Sequence, residues 1–205
     1  GSLFGESELG SVEYWHNKGI HTYVMTNTVP VRDRGRRKLE FFVDDLQQLA
    51  KIFRVEEKTQ NKIAQLKGRI AKLRMHSKSI AEAKKPKVVT LQFFYGNEYF
   101  GRTANDLTAD MIELAGGISL DDNLGGRKSV EYLVKLDPDM IVVIDTANAP
   151  VSGKIKALRE HKVLKKIKAV RNNKIFVVQH RAFYCGSLRT VEAVEDMQKY
   201  IEDNF

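Results

Sequence analysis

The sequence predicts an α/β fold, a three-layer αβα lobe with a mostly parallel sheet, preceded by a long helix. Three observations lead there. Short runs rich in β-branched residues, at 88–93, 140–144 and 175–178, are separated by stretches with helical periodicity, the alternation of a parallel sheet. The run Met140-Ile141-Val142-Val143-Ile144 is apolar at every position, as a strand covered on both faces must be. Within residues 55–85, Ile63, Leu66, Ile70, Leu73 and Ile80 recur every three or four places, with Ser77 in the one polar position. That stripe is narrow and the remainder is charged, which suits a strut lying across two bodies; a short coiled coil is the alternative.

Taken in order, residues 12–18 suit a short helix ended by Gly19, and residues 21–25 are a β-branched and aromatic run suited to a buried strand. A turn-rich stretch through Asn27, Pro30 and Gly35 precedes a helix over 38–53 with Phe42, Leu46, Leu49, Ala50 and Phe53 on one side. One helix-strand-helix unit builds no sheet, because a lone strand leaves both backbone edges unpaired. The long helix is expected to stop at Pro86, whose ring lacks the helical donor and disfavours helix at the residue before it. After the strand at 88–93 comes a glycine- and aromatic-rich loop over 94–105, then a helix over 107–115 closed by Gly116-Gly117. Ser129 caps a helix to Leu136, Asp137-Pro138-Asp139 turns the chain into the strand at 140–144, and residues 155–161 suit a helix. Asn172-Asn173 turns into the strand at 175–178, and the last helix covers 188–201 with Val191, Val194, Met197 and Ile201 inward. The boundaries expected are 1–58 as the end of a preceding lobe, 59–85 as a connecting helix and 86–205 as a complete lobe. Ligands of such sheets sit at the carboxyl ends of the strands, which singles out the loops beginning at Phe94, Asp145 and Gln179.

At 205 residues, 42% hydrophobic and 29% charged, the chain has the composition of a water-soluble globular protein, and no apolar run approaches the roughly 20 residues that span a bilayer. No signal peptide is legible, and Gly1-Ser2 has the look of a tag-cleavage remnant. Thirty-four Lys and Arg against 26 Asp and Glu give +8, which favours anionic partners. The basic residues look scattered rather than gathered into a stripe, and no nucleic-acid-reading motif is present, so nucleic acid is not the expected partner, and a basic nucleic-acid-binding module stands only as the alternative from another class. Cys185 is the only cysteine, which excludes an internal disulfide and a cysteine-based zinc site.

Four stretches in order carry a resemblance: Lys87-Val88-Val89 entering a strand, residues 110–117 (DMIELAGG), residues 129–143 (SVEYLVKLDPDMIVV) and residues 168–176 (KAVRNNKIF). Residues 85–205 resemble the C-terminal lobe of the class III substrate-binding proteins of ABC importers, which carry ferric siderophores, haem and cobalamin. The helix over 59–85 resembles the rod joining the two lobes of that class, and residues 19–24 its last N-lobe strand. Most of the N-terminal lobe has no counterpart, so a truncated chain is expected, with a natural one-lobed protein as the alternative. The resemblance implies a receptor that binds a ferric siderophore or similar iron chelate, with haem or cobalamin as the alternative. It implies delivery to the permease subunits, a periplasmic or lipid-anchored cell-surface location, no resident cofactor and no enzymatic activity.

The resemblance also places Glu131 where the family's C-lobe docks its permease through an acid; a helix-start acid facing the dipole is the structural alternative. The segment after the last strand concentrates His180, Arg181, Phe183, Tyr184 and Arg189 where a cleft wall is expected. Arginine offers planar paired donors for carboxylate or catecholate oxygens, and aromatic rings give a chelate flat apolar surface. Arg181 and Arg189 as surface ion pairs, Phe183 as a core residue and His180 as a backbone partner or haem ligand are all open readings. Tyr95, Tyr99, Phe100 and Arg102 come from the first loop toward the same cleft, or pack over the sheet end; Asp145, Thr146 and Lys154 border the middle loop. No catalytic set is legible: Gly125-Gly126-Arg127-Lys128-Ser129 has the wrong spacing for a phosphate loop, and no H-E-x-x-H, G-x-S-x-G or metal-ligand cluster is present. Cys185 fits a small buried hydrophobe better than a reactive thiol.

Overall fold

The computed structural model of the chain describes residues 10–29, 35–123, 125–183 and 186–205. The first helix, α1 (Val12–Asn17), is capped by the Ser11 hydroxyl, which accepts from the Tyr14 N–H. Residues 21–25, expected as a strand, form no regular element and pair with nothing in a sheet. The reason is the one the sequence raises: no neighbouring strand exists among the described residues to take up their backbone groups. A side-chain anchor holds them instead. Asp45, buried in the next helix, accepts from the Tyr23 hydroxyl at 2.6 Å, the Thr26 hydroxyl at 2.7 Å and the Thr26 N–H at 2.9 Å.

That helix, α2 (Glu40–Ile52), lies against the long α3 (Glu56–Ser79). The α3 stripe behaves as its spacing requires: Ile63, Ile70 and Leu73 are buried, and Ser77 takes its apolar-face place by donating to the Glu113 carbonyl. The helix stops six residues before the expected end. The Ser79 hydroxyl donates to the His76 carbonyl, Ile80 is already extended, and a 3-10 turn over Glu82–Lys84 leads to Pro86. Pro86 instead opens the sheet, its carbonyl accepting from the Ile118 N–H.

Four strands make a fully parallel sheet in the order β4 (Ile118–Ser119), β1 (Lys87–Leu91), β6 (Met140–Asp145), β7 (Ile175–Gln179). Side chains alternate between its faces as a strand's period of two demands. Val88, Met140, Val142 and Ile144 pack with α2, α3, α4 (Leu107–Leu114) and α8 (Leu188–Asn204). Val89, Leu91, Ile141 and Val143 pack with α5 (Val130–Leu136), α6 (Val151–Glu160) and the short α7 (Lys168–Arg171). This is the three-layer αβα arrangement the sequence predicts. Residues 39–50 share the first of these two apolar clusters with the sheet.

The loop expected over 94–105 is in part a second, antiparallel sheet of β2 (Phe93–Tyr95), β3 (Glu98–Gly101) and β5 (Gly126–Ser129). Gly96, at φ +64°, makes the tight turn between β2 and β3 possible. Gly116, at φ +95°, ends α4 with its N–H on the Glu113 carbonyl, and an added Cβ would meet the Ile80 side chain at 2.7 Å.

Charge is distributed unevenly, contrary to the scatter read from the sequence. Residues 154–174 hold nine Lys and Arg and one acid, Glu160, while the remainder of the chain balances with 25 of each sign. In the fold this segment is α6, a 3-10 turn over Leu164–Lys166, α7 and the turn into β7. Leu158, Leu164, Ile167 and Ala169 face the sheet, so most of the lysines and arginines are displayed outward.

Candidate functional site

The carboxyl ends of β1, β6 and β7 lie side by side because the register pairs Leu91 with Val143 and Asp145 with Gln179. Beyond β6 and β7 a depression of about 480 Å³ is lined by Asp145, Thr146, Ala147, Pro150, Gln179, His180 and Arg181. On the other side of the 146–150 turn, a second of about 530 Å³ is lined by Phe93, Phe94, Tyr95, Asn148, Pro150 and Lys154, among others. Together they make a broad, shallow platform, polar on one side of the turn and aromatic on the other.

Each polar group has a local reason for its position. Asp145 accepts from the Val151 N–H at 3.0 Å, so the strand end also caps α6. Lys154 is buried, and its ammonium donates to the Ile144 carbonyl and lies 3.4 Å from the Thr146 hydroxyl and 5.4 Å from the Phe93 ring centre. Burial lowers its pKa, with nearby Asp145 opposing. His180 and Arg181 sit in a 3-10 turn leaving β7; His180 is half-buried, and Arg181 is exposed with Nε donating to Gln179 Oε1 at 3.1 Å. Near the carboxyl end of β1, the buried Asp121 accepts from the Thr90 N–H at 3.1 Å and the Thr90 hydroxyl at 2.8 Å. Burial pushes its carboxyl up to about 7 against those two hydrogen bonds.

The structure brings together some of the expected contact residues and separates others. His180 and Arg181 share the polar depression, and Tyr95 lines the aromatic one, 45% exposed with the Arg127 guanidinium 4.5 Å from its ring centre. Arg102 reaches the same end of the sheet but is held by Gln92 Oε1 at 3.2 Å, Asp106 at 3.2 Å and the Phe183 ring at 5.4 Å. Tyr99 and Phe183 are corrections: at 1% and 2% exposure they are core residues with no surface for a ligand. The alternation in β3 explains the first, since Tyr99 points into the layer under α5 while Glu98 faces solvent. Burial raises the Tyr99 pKa strongly. Arg189 is exposed but lies off the platform, in a groove of about 420 Å³ between the outer edge of β7 and α8, which Arg181 also borders. Tyr184, expected at the cleft wall, lies outside the described residues. Glu131 is exposed in the first turn of α5, and hydrogen bonds from its own N–H and the Ser129 hydroxyl lower its pKa.

Sequence reading passed over Phe93 and Phe94 as strand interior and a loop start. The available signal was the run Phe93-Phe94-Tyr95 at a strand's carboxyl end. Among the described residues, no group of three or more His, Cys, Asp or Glu is placed to hold a metal ion, and no helix is long and apolar enough to cross a membrane. The groups on the platform can hold a ligand by stacking, hydrogen bonding and charge, with Arg181 exposed and His180 half-buried on its polar side.

The sequence matches the family described as periplasmic binding protein over residues 16–182. Among curated proteins, none is significantly similar in sequence. Solved structures share the fold. A periplasmic binding protein from Veillonella parvula has a TM-score of 0.80 at 18% identity, over 98% of this chain and 68% of that one. The ABC-type Fe3+-hydroxamate transport system from Saccharomonospora viridis has a TM-score of 0.71 at 17% identity, over 94% and 65%. S. aureus IsdE complexed with heme has a TM-score of 0.68 at 17% identity, over 95% and 83%.

Proposed function

Since the chain belongs to the periplasmic binding protein family, we propose that it is the substrate-binding component of an ABC importer that takes up an iron chelate, in the first place a ferric siderophore. The observation that carries this reading is the two-sided platform at the carboxyl ends of β6 and β7. Arg181 and His180 offer donors to carboxylate, catecholate or hydroxamate oxygens on one side, and Phe93, Phe94 and Tyr95 offer flat apolar surface on the other. The protein's part in this reading is capture and release, without bond making or breaking. Glu131, exposed at a helix start, is the residue through which the loaded protein would meet the permease. The reading places the protein outside the cytoplasmic membrane, free in the periplasm or lipid-anchored at the cell surface.

A second ligand class has its own support: His180, half-buried, lines the polar depression, and an imidazole is a ligand type for haem iron. The same titration separates the two. Calorimetry of the chain against hydroxamate and catecholate ferric siderophores, haem and cobalamin should show binding to at least one iron chelate. Because both depressions are open along one side, a ligand touches one wall, far from the 70–90% burial of an enclosed site, and affinity should be micromolar or weaker. A haem complex would add a visible absorption band that shifts in His180→Ala. Nanomolar binding would overturn the one-wall argument, and no binding to any member of the panel would overturn the ligand class.

A further inference from the structure

The chain's whole excess of positive charge lies in residues 154–174, most of it away from the platform, and we infer that this segment is a docking surface for an anionic phospholipid bilayer. The surface is continuous. The Arg159 guanidinium at the end of α6 donates to Asn173 Oδ1 at 2.6 Å in the turn beyond α7, so the two helices present one face. It is also uncompensated. Glu160 reaches Lys156 at 4.0 Å and Asp139 reaches Lys168 at 3.1 Å, while the side chains of Lys162, Lys165, Lys166 and Arg171 are exposed with no acidic or hydrogen-bonding partner among the described residues. A chain whose charges balance everywhere else leaves four neighbouring cations unmatched here.

The chemistry of the patch selects among polyanions. It is rich in lysine, a compact hydrated charge that needs no fixed geometry from its partner. Apart from His161 it has no ring on which a base could stack, so single-stranded nucleic acid has no platform. Its two helices lie flat, with Leu158, Ile167 and Ala169 packed on the sheet, so neither projects into a duplex groove. A leaflet of anionic headgroups asks only for a broad array of positive charge, each cation strengthening attachment about fivefold until salt screens it. None of residues 158–174 lines either depression of the platform, so the surface can be occupied independently of ligand, and its failure would leave the proposed function standing.

The test is co-sedimentation of the chain with phosphatidylcholine vesicles, with the same vesicles containing one third phosphatidylglycerol, and a parallel titration with a duplex DNA of arbitrary sequence. Binding to the anionic vesicles alone, weakening steeply with added salt, is expected. Replacing Lys162, Lys165, Lys166 and Arg171 together by glutamine should weaken it at least about a hundredfold. Replacing the equally exposed Lys58, Lys62, Lys72 and Lys78 of α3 by glutamine, an identical loss of net charge, should weaken it by less than a tenth of that. Equal loss in both variants, equal binding to both vesicles, salt-insensitive binding, or DNA binding without vesicle binding would each overturn the inference. The salt titration of the unaltered chain decides it even where a variant is poorly folded.

Discussion

Replacing Asp121 by asparagine removes the one buried carboxyl whose ionisation sets itself most strongly against the fold. In the folded chain its titration lies at about 7, against an ordinary 3.8. Below both values the group is protonated in folded and unfolded chains alike, and stability is untouched. As pH rises, the unfolded chain ionises first while the folded chain keeps its proton. Stability therefore falls between about pH 4 and pH 7 and levels off above. At about 1.4 kcal/mol per pH unit of displacement, the ceiling on that loss is about 4 kcal/mol. The amide introduced by Asp121→Asn would accept the Thr90 N–H through its carbonyl and donate to the Thr90 hydroxyl, keeping the local geometry without a charge to desolvate. The assay is thermal unfolding by circular dichroism across pH. For a chain of this size each kcal/mol moves Tm by about 2–4 °C, so the variant should match or fall below the parent near pH 4 and exceed it near pH 8 by at most roughly 8–16 °C. Melting curves for the two proteins that run parallel across that range would refute the reasoning.

Asp45→Ala should cost about 2 kcal/mol, because it leaves the Thr26 N–H and the Tyr23 hydroxyl without their acceptor; urea unfolding reads the loss, and proteolytic cleavage should appear first within residues 20–29. Arg74→Ala should cost about 3 kcal/mol, since Arg74 bridges Glu40 at 2.6 Å and the buried Asp110 at 3.1 Å, and Asp110 would keep only the Leu39 N–H at 2.8 Å; urea unfolding checks this loss as well. Glu131→Ala should leave calorimetric ligand binding unchanged while lowering uptake in a reconstituted permease assay; an unchanged uptake rate would remove Glu131 from the docking role.

What the sequence made legible was set by burial. The strand expected at 140–144 occurs as Met140–Asp145, because a strand inside a three-layer sheet is apolar along most of its length and stands out from its surroundings. The strand expected at 175–178 occurs as Ile175–Gln179, an edge strand marked by its β-branched and aromatic run after the Asn172-Asn173 turn. Ser129 caps its helix as expected, the hydroxyl accepting from the Tyr132 N–H at 3.3 Å. Short strands escaped. Residues of β2 and β3 make only three- and four-residue runs around Gly96-Asn97, and β4 has two residues, too few for any alternation to show. Residues 21–25 carry strand propensity without a partner, and propensity alone forms no ladder. At the candidate site, chemistry was legible but direction was not. Tyr95 and Tyr99 are equivalent as residue types, and only the turn at Gly96 and the pleat decide that one lines the platform while the other enters the core. The basic surface was missed for a related reason: its cations alternate with Leu158, Leu164 and Ile167, so each stretch resembles an ordinary solvated helix face until the fold gathers them.

The central claim is that the platform beside β7 binds an iron chelate through Arg181. Calorimetric titration of the parent chain and of Arg181→Ala with the tightest-binding chelate of the panel tests it most directly. Loss of a charge-assisted pair of hydrogen bonds should weaken binding by about tenfold or more, with the melting temperature unchanged because Arg181 is exposed and its guanidinium donates to the neighbouring Gln179 side chain. An affinity that does not move would contradict the account.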